Sequence, residues 1–356
     1  MRELFLKQVQ AALWNQPMPA AEMSEEILRL HLRQGTATLV FPLLPMTPMM
    51  KMVCVQNMQE QVKVRYVLER AWRAFEEAGI QAVLMKGVGL ASYWPDPTRR
   101  PWGDIDLYVG PEQYHPACAV MRATFPDALK FDEELDHYKH YNLIADGVSI
   151  EVHRVSVSLN HPRDQRLYAK MEKMGVEGAR MRDIQLQDDT LQVRIFEPTF
   201  NVLMVMLHAW EHFMGRGANL RQICDLAMLL KHTKNAINAP LLKRWLHALR
   251  AMDVWQLYMG ILVQHLGMDT DEVLFYNEHV APRAQKMLDE LLDSRRQELP
   301  DIQAGNRWVR KWRTMKKRLF YAQQIAPFSP RYARHEKWAV ILKGVGRLFA
   351  KDRHWE

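Results

Sequence analysis

The sequence predicts an α+β fold. A small mixed β-sheet core at about 76–195 is set between an N-terminal helical region, 1–75, and a C-terminal helical domain, 196–300. Basic, aromatic-rich tail helices follow over 301–356. Three observations carry this reading. Apolar residues recur at helical spacing up to Gly79 and then give way to short strand-like runs. The pair Asp146-Gly147 separates two such runs, which is a hairpin signal. Helical spacing returns from Glu197 onward.

Residues 1–35 suggest two helices broken by NQPMPAAEMSEE, with Ser24 and the acids after it resembling a capped helix start. The prolines of TLVFPLLPMTP interrupt any long element there. A helix follows from about Lys51 to Ala78, with Gly79 as its C-terminal stop. Ile80–Met85 is a short strand, Lys86–Gly89 a turn, and Leu90–Trp94 a helix start halted by Pro95 and Pro97. Ile105–Val109 is a second strand, and Pro111–Thr124 a helix with an early, tolerated proline. Tyr141–Ile144 and Val148–Val152 flank the Asp-Gly turn. Beyond them PTFNVLMVMLHAWEHFM, LRQICDLAMLLKHT and APLLKRWLHALRAM all read as helices.

Apolar residues make up 48% of the 356, enough for a large core, so a disordered chain is excluded. Cys54, Cys118 and Cys224 form no CxxC or metal-spaced cluster, which argues against a disulfide framework and for a reduced, cytoplasmic setting. The N-terminus has no apolar h-region, and no apolar run is long enough to span a membrane. The net charge of +7 is concentrated: from Asn306 on there are 14 Lys and Arg against 3 Asp and Glu. Everything before Asn306 is therefore net negative, and any contact with nucleic acid or an anionic membrane is expected through the tail.

The chemistry is expected at GDIDLYV. A strand's two-residue period puts Asp104 and Asp106 on one face and Ile105, Leu107 and Val109 on the other. Two carboxylates sharing a small volume raise each other's pKa, and a divalent cation such as Mg²⁺ relieves that conflict. In VSIEVHR, Glu151 shares a face with Ser149 and His153. If that strand lies beside Ile105–Val109, Glu151 joins the aspartates, and three carboxylates make a two-metal site for phosphoryl chemistry. Upstream, the main chain at Lys86-Gly87 is suited to cradle an anion, with Lys86 as a point charge and Arg100 as a fork for phosphate oxygens.

The order apolar strand, KG, YWPDPTRR, GDIDLYV and IEVHR resembles the uncharacterised nucleotidyltransferase family of the DNA polymerase β-like superfamily. So do LRQICDLAMLL, with Asp225, and the helix before it, with His208. The resemblance covers roughly 60–235. It implies that Asp104 and Asp106 hold the metals (Mg²⁺, with Mn²⁺ an option) and that Glu151 is a third ligand or general base. Lys86, Gly87, Val88, Gly89 and Arg100 would meet the phosphates of an NTP. His153 reads equally as an active-site rim residue and as a hydrogen-bonded strand histidine, His208 as packing or as rimming the nucleotide cleft, and Asp225 is a further rim candidate. The implied reaction moves a nucleoside monophosphate from the NTP to an acceptor. Val88 departs from the Gly or Ser that usually follows the loop glycine, so a catalytically inactive relative that only binds is the alternative.

His208-Ala209-Trp210-Glu211-His212 also spells HxxEH, a zinc-hydrolase pattern, on a helix whose Leu203, Met206, Leu207 and Trp210 read as core. The tail run WVRKWRTMKKRLFYAQQ alternates aromatic and basic residues, as a helix on anionic lipid or nucleic acid does, and equally as a helix packed by Trp308, Trp312 and Phe320.

Overall fold

The computed structural model describes residues 1–20, 23–131, 135, 137–186, 189–214, 217–293, 315–316, 319–320 and 322–349. The chain divides into two compact units. Of the described residues, the first holds 1–158 and 172–201 and the second holds 159–171 and 202–349.

The first unit opens with helices α1 (Arg2–Leu13), α2 (Glu25–Gln34), α3 (Ala37–Val40) and α4 (Pro48–Glu77). Ser24 caps α2 by accepting from the Ile27 amide, and Gly35 ends it in the left-handed region. Thr47 caps α4 in the same way. At the far end of α4, Gly79 takes φ +68° and turns the chain into the sheet.

That sheet has five strands in the order β1 (Val83–Met85), β2 (Ile105–Tyr108), β5 (Val148–His153), β4 (His140–Ala145) and β3 (Leu129–Lys130). Only the β2–β5 pair is parallel; the other neighbours are antiparallel. The mixed α+β class is as the sequence predicts. The β4–β5 turn uses Asp146 at φ 52° and Gly147 at φ 79°, the left-handed pair that a two-residue hairpin demands. Ile105, Leu107, Ile150 and Val152 are fully buried, and α6 (Gly110–Thr124) covers apolar surface through Tyr114, Cys118 and Met121.

Helix α5 (Gly87–Ala91) begins earlier than the sequence suggests, inside the expected turn. Two strands that the sequence does not announce, β6 (Arg180–Leu186) and β7 (Asp189–Ile195), form a separate hairpin. Helix α7 (Pro162–Glu177) crosses the division between the units. Gly175 on it faces Phe200 of α8 (Pro198–Met214), where an added Cβ would collide with the aromatic ring.

The second unit is helical: most of α8, then α9 (Leu220–Thr233), α10 (Ala239–Ala248), α11 (Met252–Leu266), α12 (Ala281–Leu292) and α13 (Pro330–Phe349). Asn219 and Gln222 close a reciprocal capping box at the start of α9. Most of the expected tail helix, including Trp308 and Trp312, lies outside the described residues. Among the described residues no helix is long and apolar enough to cross a membrane.

Candidate active site

Strand β2 reaches its central place through a loop pinned at several points. Gln61 on α4 donates to the carbonyls of Thr98 (2.7 Å) and Arg100 (3.1 Å), and Thr38 on α3 donates to the Arg99 carbonyl at 2.6 Å. The chain therefore enters Asp104 and Asp106 from a fixed direction. The parallel register then sets Asp106 opposite Glu151, while the antiparallel register on the other side sets Asp106 opposite Met85, next to Lys86. One acceptor oxygen of each of Asp104, Asp106 and Glu151 lies within 4.8 Å of the others.

Lys86 caps α5 with φ 49°, a region non-glycine residues rarely occupy. Such strain costs about 1–3 kcal/mol and persists only where surroundings over-determine it. Here the reward is visible: the Lys86 Nζ lies 2.5 Å from Asp106 Oδ1. The turn is also tight against the carboxylate loop, since a Cβ on Gly87 would stand 3.1 Å from the Asp104 carbonyl oxygen. A Cβ on Gly89 would stand 3.3 Å from that of Leu84. Val88 is in the core, so any contact it makes with a ligand is through its main chain.

His153 shares the face of Glu151 and is fully buried. Its Nε2 lies 2.8 Å from Asp106 Oδ1 and 2.9 Å from Glu151 Oε2, and its Nδ1 lies 3.3 Å from the Val155 carbonyl. Strand β4 brings His140 opposite His153, 3.6 Å from Glu151 Oε2, with the two rings 4.9 Å apart. Sequence reasoning missed His140. The signal was there in the hairpin, because counting outward from Asp146-Gly147 pairs residue 140 with 153.

Burial works against charge on Asp106, but the Lys86 ammonium and the hydrogen bond from His153 outweigh it and hold the carboxyl well below its usual range. Glu151 behaves likewise: burial opposes ionisation, and His153 more than offsets it. For Lys86 desolvation opposes the charge, while Asp106 and Glu151 restore it and push the amine above its ordinary value. Asp104 is left over. It is exposed, yet the Asp106 carboxylate first, and then crowding by protein, push its carboxyl up to about 6. Burial, followed by the charge of His153, pushes His140 down to about 3, so it is neutral.

All the donors that converge here from Asp104, Asp106 and Glu151 are carboxylate oxygens, the hard ligands that Mg²⁺ and Mn²⁺ take. The excess negative charge sits on the solvent-facing member, Asp104, where an arriving cation would meet it. Arg100 is buried, and its Nη1 donates to the Pro101 carbonyl at 2.8 Å. His208 and Asp225 belong to the second unit, on α8 and α9. The His208 and His212 rings pack 4.5 Å apart, and among the described residues the HxxEH side chains are not one of the trios within ligand distance.

Residues 28–267 match the family described as Uncharacterised nucleotidyltransferase, a segment that contains every carboxylate, lysine and histidine of this site. No curated protein and no solved structure gives a match.

Proposed function

The chain belongs to the uncharacterised nucleotidyltransferase family, and from that premise we propose that it transfers a nucleoside monophosphate from an NTP to an acceptor. The acceptor oxygen attacks the α-phosphorus, the bond to the bridging oxygen breaks, and pyrophosphate leaves. A divalent cation, when bound, neutralises charge on the phosphate oxygens and polarises them.

The chain's own residues supply the rest. Asp104 and Asp106 are the proposed metal ligands, with Glu151 completing the set and taking the acceptor's proton. Lys86 fixes one oxygen of Asp106, Oδ1, and stays charged for the incoming phosphates. Positioning and electrostatics carry most of such catalysis, so a carboxylate set held in register is the feature that matters. The single observation that supports the reading best is the convergence of three carboxylates within 4.8 Å inside the family segment.

An anionic acceptor fits the positive charge that gathers after Asn306. The free thiols Cys54, Cys118 and Cys224 fit a reducing, cytoplasmic setting. The test is pyrophosphate release from each NTP with Mg²⁺, using labelled NTPs and cell extract to find the acceptor. Turnover that survives in Asp104→Asn/Asp106→Asn would sink the proposal.

One observation favours a second reading, a relative that binds nucleotide without turning it over. Lys86 and His153 already satisfy Asp106 Oδ1, and Val88 is withdrawn into the core. Calorimetry with ATP and Mg²⁺ beside the pyrophosphate assay separates the two, since binding without release supports the second.

A further inference from the structure

The second unit holds a cluster that the carboxylate chemistry does not use. His161 and Asp164 stand one turn apart where α7 begins, and His335 comes from α13, 171 residues after Asp164. One donor atom from each of the three lies within 4.8 Å of the others. Asp164 is buried, and both histidines are partly covered.

The carboxylate is oriented from both sides. Its Oδ2 meets His335 Nε2, and its Oδ1 faces Arg250 Nη1 at 3.4 Å and His161 Nδ1 at 3.9 Å. The two imidazole rings lie 4.5 Å apart. Beside them is a cavity of about 10 Å³, lined also by Asn160, Tyr332 and Glu336, which is room for one water-sized occupant.

We propose that His161, Asp164 and His335 bind one divalent transition-metal ion of the zinc type, which ties the last helix to the start of α7. Two imidazoles with one carboxylate are the donors that zinc takes, whereas Mg²⁺ prefers oxygen alone. Arg250 then acts as the outer partner that holds the ligating carboxylate, a normal accompaniment of such sites. Its positive charge opposes the ion, but it sits on Oδ1 while His335 faces Oδ2. If the ion seats on His161 Nδ1, it displaces the 3.2 Å bond from the Arg163 amide. A water completing the ion's coordination would have room in the small cavity, where Glu336, held by Asn160, would accept its hydrogen bond. His335 lies outside the family segment, and the proposal does not depend on the transfer reaction.

The test uses full-length protein stripped with EDTA and titrated with Zn²⁺ alone, then with Mg²⁺ alone, by calorimetry and thermal unfolding. One zinc equivalent is expected, with a rise in Tm that Mg²⁺ does not give. It should persist in Asp104→Asn/Asp106→Asn and His140→Gln, which remove the two other trios. His161→Gln and His335→Gln should weaken it by more than the roughly 10–100-fold cost of losing an outer partner. Co²⁺ in place of Zn²⁺ should give d–d absorption that both histidine variants lose. No zinc uptake by the wild-type protein would overturn the proposal without reference to any variant. So would uptake that survives His335→Gln but disappears with the first-unit residues.

Discussion

Asp106 and Glu151 are register partners on adjacent parallel strands, and one ring nitrogen of His153 reaches both, at 2.8 and 2.9 Å. Two carboxylates brought that close repel each other unless something between them is positive. Lys86 supplies that charge from within the protein, 2.5 Å from Asp106 Oδ1, and His153 Nε2 bridges the two carboxylates.

The leftover charge has a measurable consequence. The folded-state pKa of Asp104, about 6, lies above its ordinary value near 4. The folded state therefore holds the proton more tightly, and a stability penalty grows as pH rises from about 4 through 6 and is complete above 6. Asp104→Asn should raise Tm at pH 8 in EDTA and change it little at pH 4. Mg²⁺ should raise Tm of the wild-type protein at pH 8 and not that of the variant. An unchanged Tm in both buffers would show that the three carboxylates do not compete.

Replacing His153 removes the bridge between Asp106 and Glu151, while Lys86 still pairs with Asp106. Leaving a buried hydrogen-bonding group unsatisfied costs about 1–3 kcal/mol. His153→Gln, which keeps one donor, should lose less stability than His153→Phe. Mg²⁺ should recover part of the loss in each. Denaturant unfolding with and without Mg²⁺ reads this directly, and equal losses in the two variants would count against the shared hydrogen bond.

The parts of this site that could be read from sequence are those set by local period. Alternation puts Asp104 with Asp106 and Glu151 with His153, and Asp-Gly fixes the β4–β5 register. What could not be read depends on distant packing. His153 carries the same alternation as Glu151, yet its burial comes from the carboxylates and the Val155 carbonyl around it. Arg100 has the right charge in the right order, and its bond from Nη1 to the Pro101 carbonyl is a contact that the order of residues does not announce. Among the hairpin residues whose burial is described, Ile184, Val193 and Ile195 are the core of β6–β7, too few to announce it. Arg182 between them instead binds Ser92 Oγ at 2.6 Å and stacks on Tyr93. Polar partners of that kind erase the apolar alternation by which a strand is recognised.

Gly175 tests the packing of the first unit where α7 meets the start of α8. A methyl group there has no space beside Phe200, and overpacking of this kind costs about 1–3 kcal/mol. Gly175→Ala should lower Tm, and Gly175→Ala/Phe200→Leu should regain part of it, because the smaller side chain makes room. A double variant less stable than both singles would show that the ring, rather than the space, is what the fold needs.

His31 gives the acid side of the stability profile. It is fully buried between α1 and the chain after α2, with Nδ1 2.9 Å from Thr36 Oγ1 and Nε2 3.0 Å from Gln8 Oε1. The Phe5 ring is 4.6 Å away. This arrangement satisfies a neutral imidazole, and burial pushes its pKa down to about 3. The unfolded chain, with an ordinary histidine pKa near 6.5, binds the proton more readily. Its contribution is therefore full above about pH 6.5 and falls as pH drops toward 3, with a limiting slope of about 1.4 kcal/mol per pH unit. His31→Leu removes this titration but strands Gln8 and Thr36, at a cost of about 1–3 kcal/mol for each unsatisfied group. The variant should be less stable at pH 7.5, and its deficit should shrink as pH falls from 6.5 to 4. Taking the wild-type minus variant difference cancels other groups that titrate in this window, His140 among them. A deficit that stays constant with pH would mean that His31 takes up its proton without leaving the fold.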